Sequence, residues 1–371
     1  MPAKIFSAAT LGLESELVEV EVDAFNTGMH HFTVVGLPDT TIKESRDRVS
    51  SALKNSGFLP PHRFGRITVN LAPADLPKNS PVYDVPMALG FLLATEQLSF
   101  DFRDKLFIGE LSLDGKVRPV GGVLPIALLA KKLGMAELYV PEKNAAEAAM
   151  VQGIRIIPIT SLFEVAQHLS GATTLAPAPD IDMEAMFREE SFLLDMKDVR
   201  GQEHAKRALE IAAAGGHNIL MSGPPGSGKT ILAKTLPSIL PKLNFEESIE
   251  ITKIFSIAGF LTRSNTLVTS RPFRSPHHSA SAVSLVGGGS FPKPGEISLA
   301  HRGVLFLDEF GEFSKNILEN LRQPLEDGHI TVSRAKGSLH FPARFILVAA
   351  MNPCPCGNMG DPERLCSCSP R

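Results

Sequence analysis

Hydrophobic and polar residues follow two different rhythms along this chain. In the first part, "VEVEVDAF" (18–25) and "RITVNLAP" (66–73) alternate apolar and polar positions with the period of two that a half-buried strand requires. Between such strands lie stretches with helical spacing, "ALLAKKLG" (127–134) and "AAEAAMVQG" (145–153), and the part closes on "IRIIPITSLFEVAQHL" (154–169). Strands and helices of this kind predict an α+β or α/β domain over residues 1–170. The stretch "GATTLAPAPDIDMEAM" (171–186) is rich in Ala, Pro and Thr and has neither period. It predicts a linker, taken here as residues 171–190. From 191 to 371 the pattern changes. A helix over "GQEHAKRALEIAAAGG" (201–216) leads to the strand "NILMSG" (218–223), a glycine-rich loop and another helix. The continuous apolar runs "GVLFLDEF" (303–310) and "RFILVAAMNP" (344–353) follow. Such strands, alternating with helices around a glycine loop, predict a doubly wound α/β sheet.

Composition narrows the function classes. With 371 residues and 43% hydrophobic residues, the chain is long enough for two cores. No run of about eighteen apolar residues is present to span a bilayer, and the first residues lack the apolar stretch of a signal peptide, so a cytoplasmic protein without a membrane partner is expected. The net charge of −3 neither suggests nor excludes nucleic acid, but its distribution is uneven. Residues 1–170 hold 16 basic and 19 acidic residues, whereas residues 253–344 hold 11 basic and 7 acidic, a local positive excess.

The chemistry begins at "GPPGSGKT", Gly223, Pro224, Pro225, Gly226, Ser227, Gly228, Lys229 and Thr230, which fits GxxxxGK[ST] at every fixed position between a strand and a helix. Glycines let backbone amides approach phosphate, Lys229 reaches the β and γ phosphates, and Thr230 ligates Mg²⁺, so ATP with Mg²⁺ is the expected ligand. At the end of the apolar run 304–307 stand Asp308 and Glu309, either a pair of solvated acids or the groups that bind Mg²⁺ through water and polarise the attacking water. A third strand ends at Asn352, which either turns the chain before Pro353 or holds the lytic water and senses the γ phosphate.

"RPFRSPHHSAS", "GGGSFPKPGEISLAHRGVLFLDEF" and "AAMNPCPCG", together with the phosphate loop, resemble the magnesium-chelatase-like AAA+ proteins of the ComM/YifB type along the whole chain. The resemblance implies Walker A at Gly223 to Thr230, Walker B at Asp308 and Glu309, sensor 1 at Asn352, and Val199 and Gly201 beside the adenine. It implies an ATPase that assembles as a homo-hexamer and acts as a DNA helicase in branch migration during natural transformation. The alternatives are a chelatase-like motor that remodels a protein partner and a nucleotide-dependent scaffold without motor activity. "GELSLDGKVRPVGG" and "ELYVPEKN" make residues 1–170 similar to the Lon-type protease domain, of the ribosomal S5 domain 2-like fold. The nucleophile position falls on Asp84 and the lysine position on or near Ile126, with Ser80 and Lys131 nearby but out of place, which implies a non-proteolytic form. The family also implies an arginine finger and a helical lid beyond residue 371. On that ground a truncated chain with weak hydrolysis and poor ring assembly is expected.

Three further features bear on partners. "EDGHITVSRAKGSLHFPARF" predicts a hairpin with Arg334 and Lys336 near its tip, placed where the clade projects a pore loop; it contacts the DNA backbone without reading sequence, or is merely solvated. His277 and His278 lack ligand spacing and are expected to hydrogen-bond within their insertion; Gly287 to Gly289 suggest a mobile loop, and Phe291 offers a stacking surface. All four cysteines, Cys354, Cys356, Cys366 and Cys368, form two CxC pairs nine residues apart. They read as a structural Zn²⁺ site, with Gly357 and Gly360 letting the loop return, or as free thiols or a redox pair.

Overall fold

The computed structural model describes residues 2–25, 30–36, 40–74, 76, 78, 81–179, 181, 187, 194–261, 266–289, 293–334, 337–359 and 365–368. The chain divides into two compact units, Met1–Met183 with Ser256–Leu267, and Glu184–Phe255 with Val268–Arg371.

In the first unit the strands are β1 (Ala3–Leu11), β2 (Glu14–Ala24), β3 (His31–Val35), β4 (Arg66–Ala72), β5 (Lys105–Phe107), β6 (Glu110–Leu111), β7 (Val117–Arg118), β8 (Glu137–Pro141) and β9 (Arg155–Ile159). Seven of them form one mixed sheet in the order β3-β4-β2-β1-β5-β8-β9. The alternation of β2 is realised directly: Val18, Val20 and Val22 are buried on one face, while Glu19 and Glu21 on the other meet Lys4 Nζ at 3.0 and 3.2 Å. The helix Asp84–Ala94 packs on β1 and β2 and is buried from Asp84 to Leu92, which explains its almost wholly apolar sequence. The stretch 145–153, expected as a full helix, forms only the four-residue helix Ala145–Ala148. Glu147 of that turn is drawn inward, where its carboxylate accepts from the Leu124 N–H (2.9 Å) and from Ser256 Oγ.

Part of the stretch read as linker is tied to the first unit: Ala178 N–H donates to Ile156 O at 2.8 Å and Leu175 N–H to His168 Nδ1 at 3.0 Å. The division falls at Met183, and residues 256–267, which the sequence placed in the second domain, group with the first.

The second unit holds β10 (Ile219–Ser222), β11 (Phe273–Arg274), β12 (Gly287–Gly288), β13 (Lys293–Pro294), β14 (Val304–Leu307), β15 (His329–Arg334), β16 (Gly337–Pro342) and β17 (Ile346–Met351). β10-β17-β14-β11 form an all-parallel sheet. All four residues of β14 have no exposed surface, which is why its sequence runs apolar without alternation. Val304 and Phe306 pack with Leu209 of the helix Glu203–Gly215 and with Leu232 and Ala233 of the helix Lys229–Thr235. Burying Phe306 alone contributes about 1.5–3 kcal/mol and fixes β14 beneath the loop that follows β10. β15 and β16 form the expected antiparallel hairpin, closed by Arg334 opposite Gly337. Among the described residues no helix is long and apolar enough to cross a membrane.

Candidate active site

Three parallel strands end at one edge of the second unit's sheet. β10 runs into the glycine loop, β14 into Asp308 and Glu309, and β17 into Asn352. Because β14 and β17 lie side by side and β17 also pairs with β10, residues distant in sequence meet there. Gly226 and Gly228 hold φ of +79° and +89°, a left-handed backbone that a side chain would strain. Lys229 folds back over the loop: its Nζ donates to Gly223 O (2.7 Å), Pro224 O (3.0 Å) and Asn352 Oδ1 (3.3 Å). Thr230 Oγ1 donates to Asp308 Oδ2 at 2.8 Å, and the Glu309 N–H donates to Asp308 Oδ1 at 3.0 Å. Thus Lys229 bonds directly to Asn352, and its chain neighbour Thr230 to Asp308. Ser227 Oγ, buried inside the loop, has no protein partner in the described residues, a polar atom left for something else to satisfy.

This donor set fits a nucleotide with its Mg²⁺. The loop supplies a cationic amine, an unpartnered hydroxyl and glycine backbone, and a hydroxyl and a carboxylate of the kind hard cations take lie in contact at its end. Glu309 stands in a left-handed conformation, φ +52°, with more than half of its side chain exposed. A non-glycine residue held so is uncommon and persists only where the surrounding structure fixes it.

Several partners were missed by the sequence reading. His278 was expected to bond within its own insertion; instead its Nδ1 lies 3.0 Å from Glu309 Oε2, so the imidazole holds the very carboxylate that faces the site. His277 does bond locally, to Ser279 Oγ at 2.8 Å, and its ring lies against that of His278 at 4.1 Å between centroids. Gln202 Nε2 donates to Ser227 O at 3.4 Å, linking the segment of Val199 and Gly201 to the phosphate loop. Val199 itself is partly buried against the core that underlies the loop. No motif flags either contact, because each joins residues from separate elements.

The remaining sequence candidates fall elsewhere. Arg334 closes the β15–β16 ladder through its backbone, while Lys336, Phe291, Gly360 and Ser80 lie outside the described residues. The sulfur atoms of Cys354, Cys356, Cys366 and Cys368 come together, all within 4.8 Å of one another. The backbone N–H groups of Asn358 and Ser367 aim at Cys356 Sγ and hold its thiol down to about 6. In the first unit, Asp84 is fully buried and its carboxylate takes two bonds from Arg48, at 2.8 and 3.2 Å, and one from the Leu111 N–H at 3.1 Å. Burial still lifts that carboxyl above the usual range. Ile126, at the position matching a Lon lysine, is a core residue. A cavity of about 720 Å³ is bordered by Gly303 and Ile346, at the opposite ends of β14 and β17 from the phosphate loop. Of its three arginines, Arg271 and Arg302 are engaged by Glu247, and Arg344 completes the lining.

Comparison with known proteins accords with this edge. A family model described as magnesium chelatase, subunit ChlI, matches residues 195–371, and one described as subunit ChlI of Mg-chelatase matches residues 18–144. The chain is 48% identical over 358 residues to Competence protein ComM of Haemophilus influenzae, covering 96% of this chain and 69% of that protein. It is 44% identical over 364 residues to the uncharacterized protein YifB of Escherichia coli K12, covering 98% and 70%. The chain is also similar to Lon protease 2 of Bacillus subtilis, 30% identical over 128 residues, 34% of this chain and 22% of that one. With a phosphate loop, paired acids and a terminal asparagine on one parallel sheet edge, and with such identity along nearly its whole length, the chain belongs to the magnesium-chelatase-like AAA+ family of the ComM and YifB type.

Proposed function

We propose that this protein is an ATP-driven motor that works on DNA as a hexameric ring, promoting branch migration in recombination during natural transformation. The observation that carries the ATPase half is the chain of contacts Asn352–Lys229 and Thr230–Asp308, which ties the ends of three strands into one site. Lys229 and the loop amides bind and orient the triphosphate of ATP; Thr230 and Asp308 hold Mg²⁺, which supplies positive charge to the phosphates. Glu309 accepts a proton from the attacking water, and Asn352 fixes that water or the terminal phosphate. Glu309 also lies against His278, and Lys229 against loop carbonyls, so both side chains change partner when they act on the triphosphate and its attacking water.

Action on DNA is supported by the similarity to a protein named for competence, by the local excess of basic residues over 253–344, and by the pairing of β15 with β16, with Arg334 ending β15 and Lys336 preceding β16 in the sequence. Phosphate contact from such a hairpin binds any sequence and weakens steeply with salt. A chelatase-like motor acting on a protein partner is the second reading, favoured by the description of the matching family model. The test is ATP hydrolysis measured with and without forked or single-stranded DNA at two salt concentrations. Stimulation by DNA that fades with salt is expected. If no DNA binds or stimulates while a protein fraction does, the motor acts on protein instead; Glu309→Gln serves as the hydrolysis-deficient control.

A further inference from the structure

The closing cysteines are a chemical cluster that nucleotide chemistry does not use. All four are free thiols. Cys354 and Cys356 Sγ lie 3.4 Å apart, and each lies 3.7 Å from Cys366 Sγ. These separations are far beyond the roughly 2.0 Å of a disulfide bond. Four thiolates about 2.3 Å from one zinc ion form a tetrahedron with edges of about 3.8 Å, so the three closest sulfurs already stand at nearly that spacing. Soft sulfur donors exclude Mg²⁺ and Ca²⁺, and a closed set of four leaves no open position for chemistry. Amide N–H groups from Asn358 and Ser367 directed at Cys356 Sγ are the outer contacts that orient a thiolate ligand.

The position of this cluster gives it a second consequence. The turn at Cys354 closes by a Gly357 N–H bond to Cys354 O at 2.9 Å, with Gly357 at φ +77°. A Cβ on Gly357 would stand 2.7 Å from Cδ and 3.0 Å from Cγ of Pro225, so the turn lies directly on the phosphate loop. Two residues before Cys354, Asn352 reaches Lys229 on the same loop. The cysteine segment thus touches the phosphate loop at two points.

We propose that Cys354, Cys356, Cys366 and Cys368 bind one Zn²⁺ as a closed four-thiolate site, and that this site braces the phosphate loop through Gly357 and Pro225. Four S–Zn bonds form and the thiol protons are released to solvent, with no change of oxidation state. The metal fixes the turn, and the turn limits the opening of the loop whether or not nucleotide is present.

The 371-residue protein, purified without added metal, tests both halves. Elemental analysis is expected to give about one zinc per chain, and Co²⁺ used as a probe is expected to give the visible spectrum of a tetrahedral tetrathiolate. Cys366→Ser is expected to lose both signals. Zinc at trace level, or a mass two hydrogens lighter from a disulfide, overturns the metal site. For the brace, amide hydrogen exchange of peptides covering residues 223–230 is followed without nucleotide in zinc-loaded, chelator-stripped and zinc-restored protein. Stripping is expected to speed exchange there about tenfold and restoring zinc to reverse it. Gly357→Ala provides a second variant that keeps all four thiols: with its zinc content measured alongside, its Cβ is expected to push Pro225 away and speed exchange of the same peptides. Equal exchange in the stripped, Gly357→Ala and loaded proteins overturns the brace.

Discussion

Replacing Asn352 by aspartate changes one acceptor in the active site while leaving its shape intact. All three ammonium hydrogens of Lys229 are engaged, on Gly223 O, Pro224 O and Asn352 Oδ1. To reach a phosphate, the ammonium must leave at least one of them. A carboxylate at the 3.3 Å of the amide oxygen adds a Coulomb attraction of about 1 kcal/mol in fully screening solvent and about 2.5 kcal/mol at an effective dielectric constant near 40. That attraction holds Lys229 against residue 352, and the new negative charge also repels the triphosphate. Affinity for a non-hydrolysable ATP analogue with Mg²⁺ is therefore expected to fall by roughly 5- to 70-fold in Asn352→Asp. Asn352→Ala frees one hydrogen without adding charge and is expected to stay within about threefold of the parent. Calorimetric titration at low and high salt separates the two contributions, since the penalty of an exposed charge shrinks as ionic strength rises. If Asn352→Asp binds the analogue as tightly as the parent at low salt, Lys229 is not withdrawn from Asn352 on binding and the Lys229–Asn352 contact has no part in recognition.

Two further outcomes follow from the packing. Arg48→Ala removes the guanidinium from the fully buried Asp84; the cost is expected near the lower end of the 3–5 kcal/mol range, about 3 kcal/mol, because the carboxyl can take up a proton. Thermal unfolding of the first unit reports it, a loss below about 1 kcal/mol would refute the pair's role, and Asp84→Leu with Arg48→Met is expected to recover most of the loss. In the second unit His301 accepts from the Arg344 N–H at Nδ1 (3.1 Å) and donates from Nε2 to Glu250 (3.2 Å), a neutral tautomer. Burial, aided by Arg302 and Arg344, holds its pKa below 6.5 although Glu250 pulls the other way. A lowered histidine pKa means the unfolded chain binds the proton more readily, so the stability is complete above pH 6.5 and is lost as pH falls through the folded-state value. Melting scans from pH 7.5 to 5 are expected to slope less for His301→Gln than for the parent; equal slopes would refute it.

What could be read in advance is what each residue does for its own element. The apolar run 304–307 announced a strand covered on both faces, the Val–Glu alternation of β2 a strand covered on one, and the glycine spacing a phosphate loop, because these depend on neighbours in sequence. Contacts between elements were not legible in the same way. Glu309 and His278 are brought together by two adjacent strands, Ser227 and Gln202 by the start of the helix Glu203–Gly215 reaching the loop, and Ser256 meets Glu147 across 109 positions. The last pair falls in the first unit and marks where the sequence boundary misses residues 256–267. Asp84 shows what kind of knowledge was absent. An acid inside "PVYDVPMALG" begins an apolar helix and cannot be buried there as a lone charge, so the sequence alone demands a cation or a captured proton beside it. The first 170 residues contain 16 basic residues, and the hydrophobic pattern ranks none of them above the others. Only the packing of the helix Thr40–Asn55 against the helix Asp84–Ala94 selects Arg48. Asp84, where the resemblance to Lon enzymes puts a nucleophile, is a fully buried carboxylate paired with the partly exposed Arg48, and a group with no exposed surface is out of reach of a substrate.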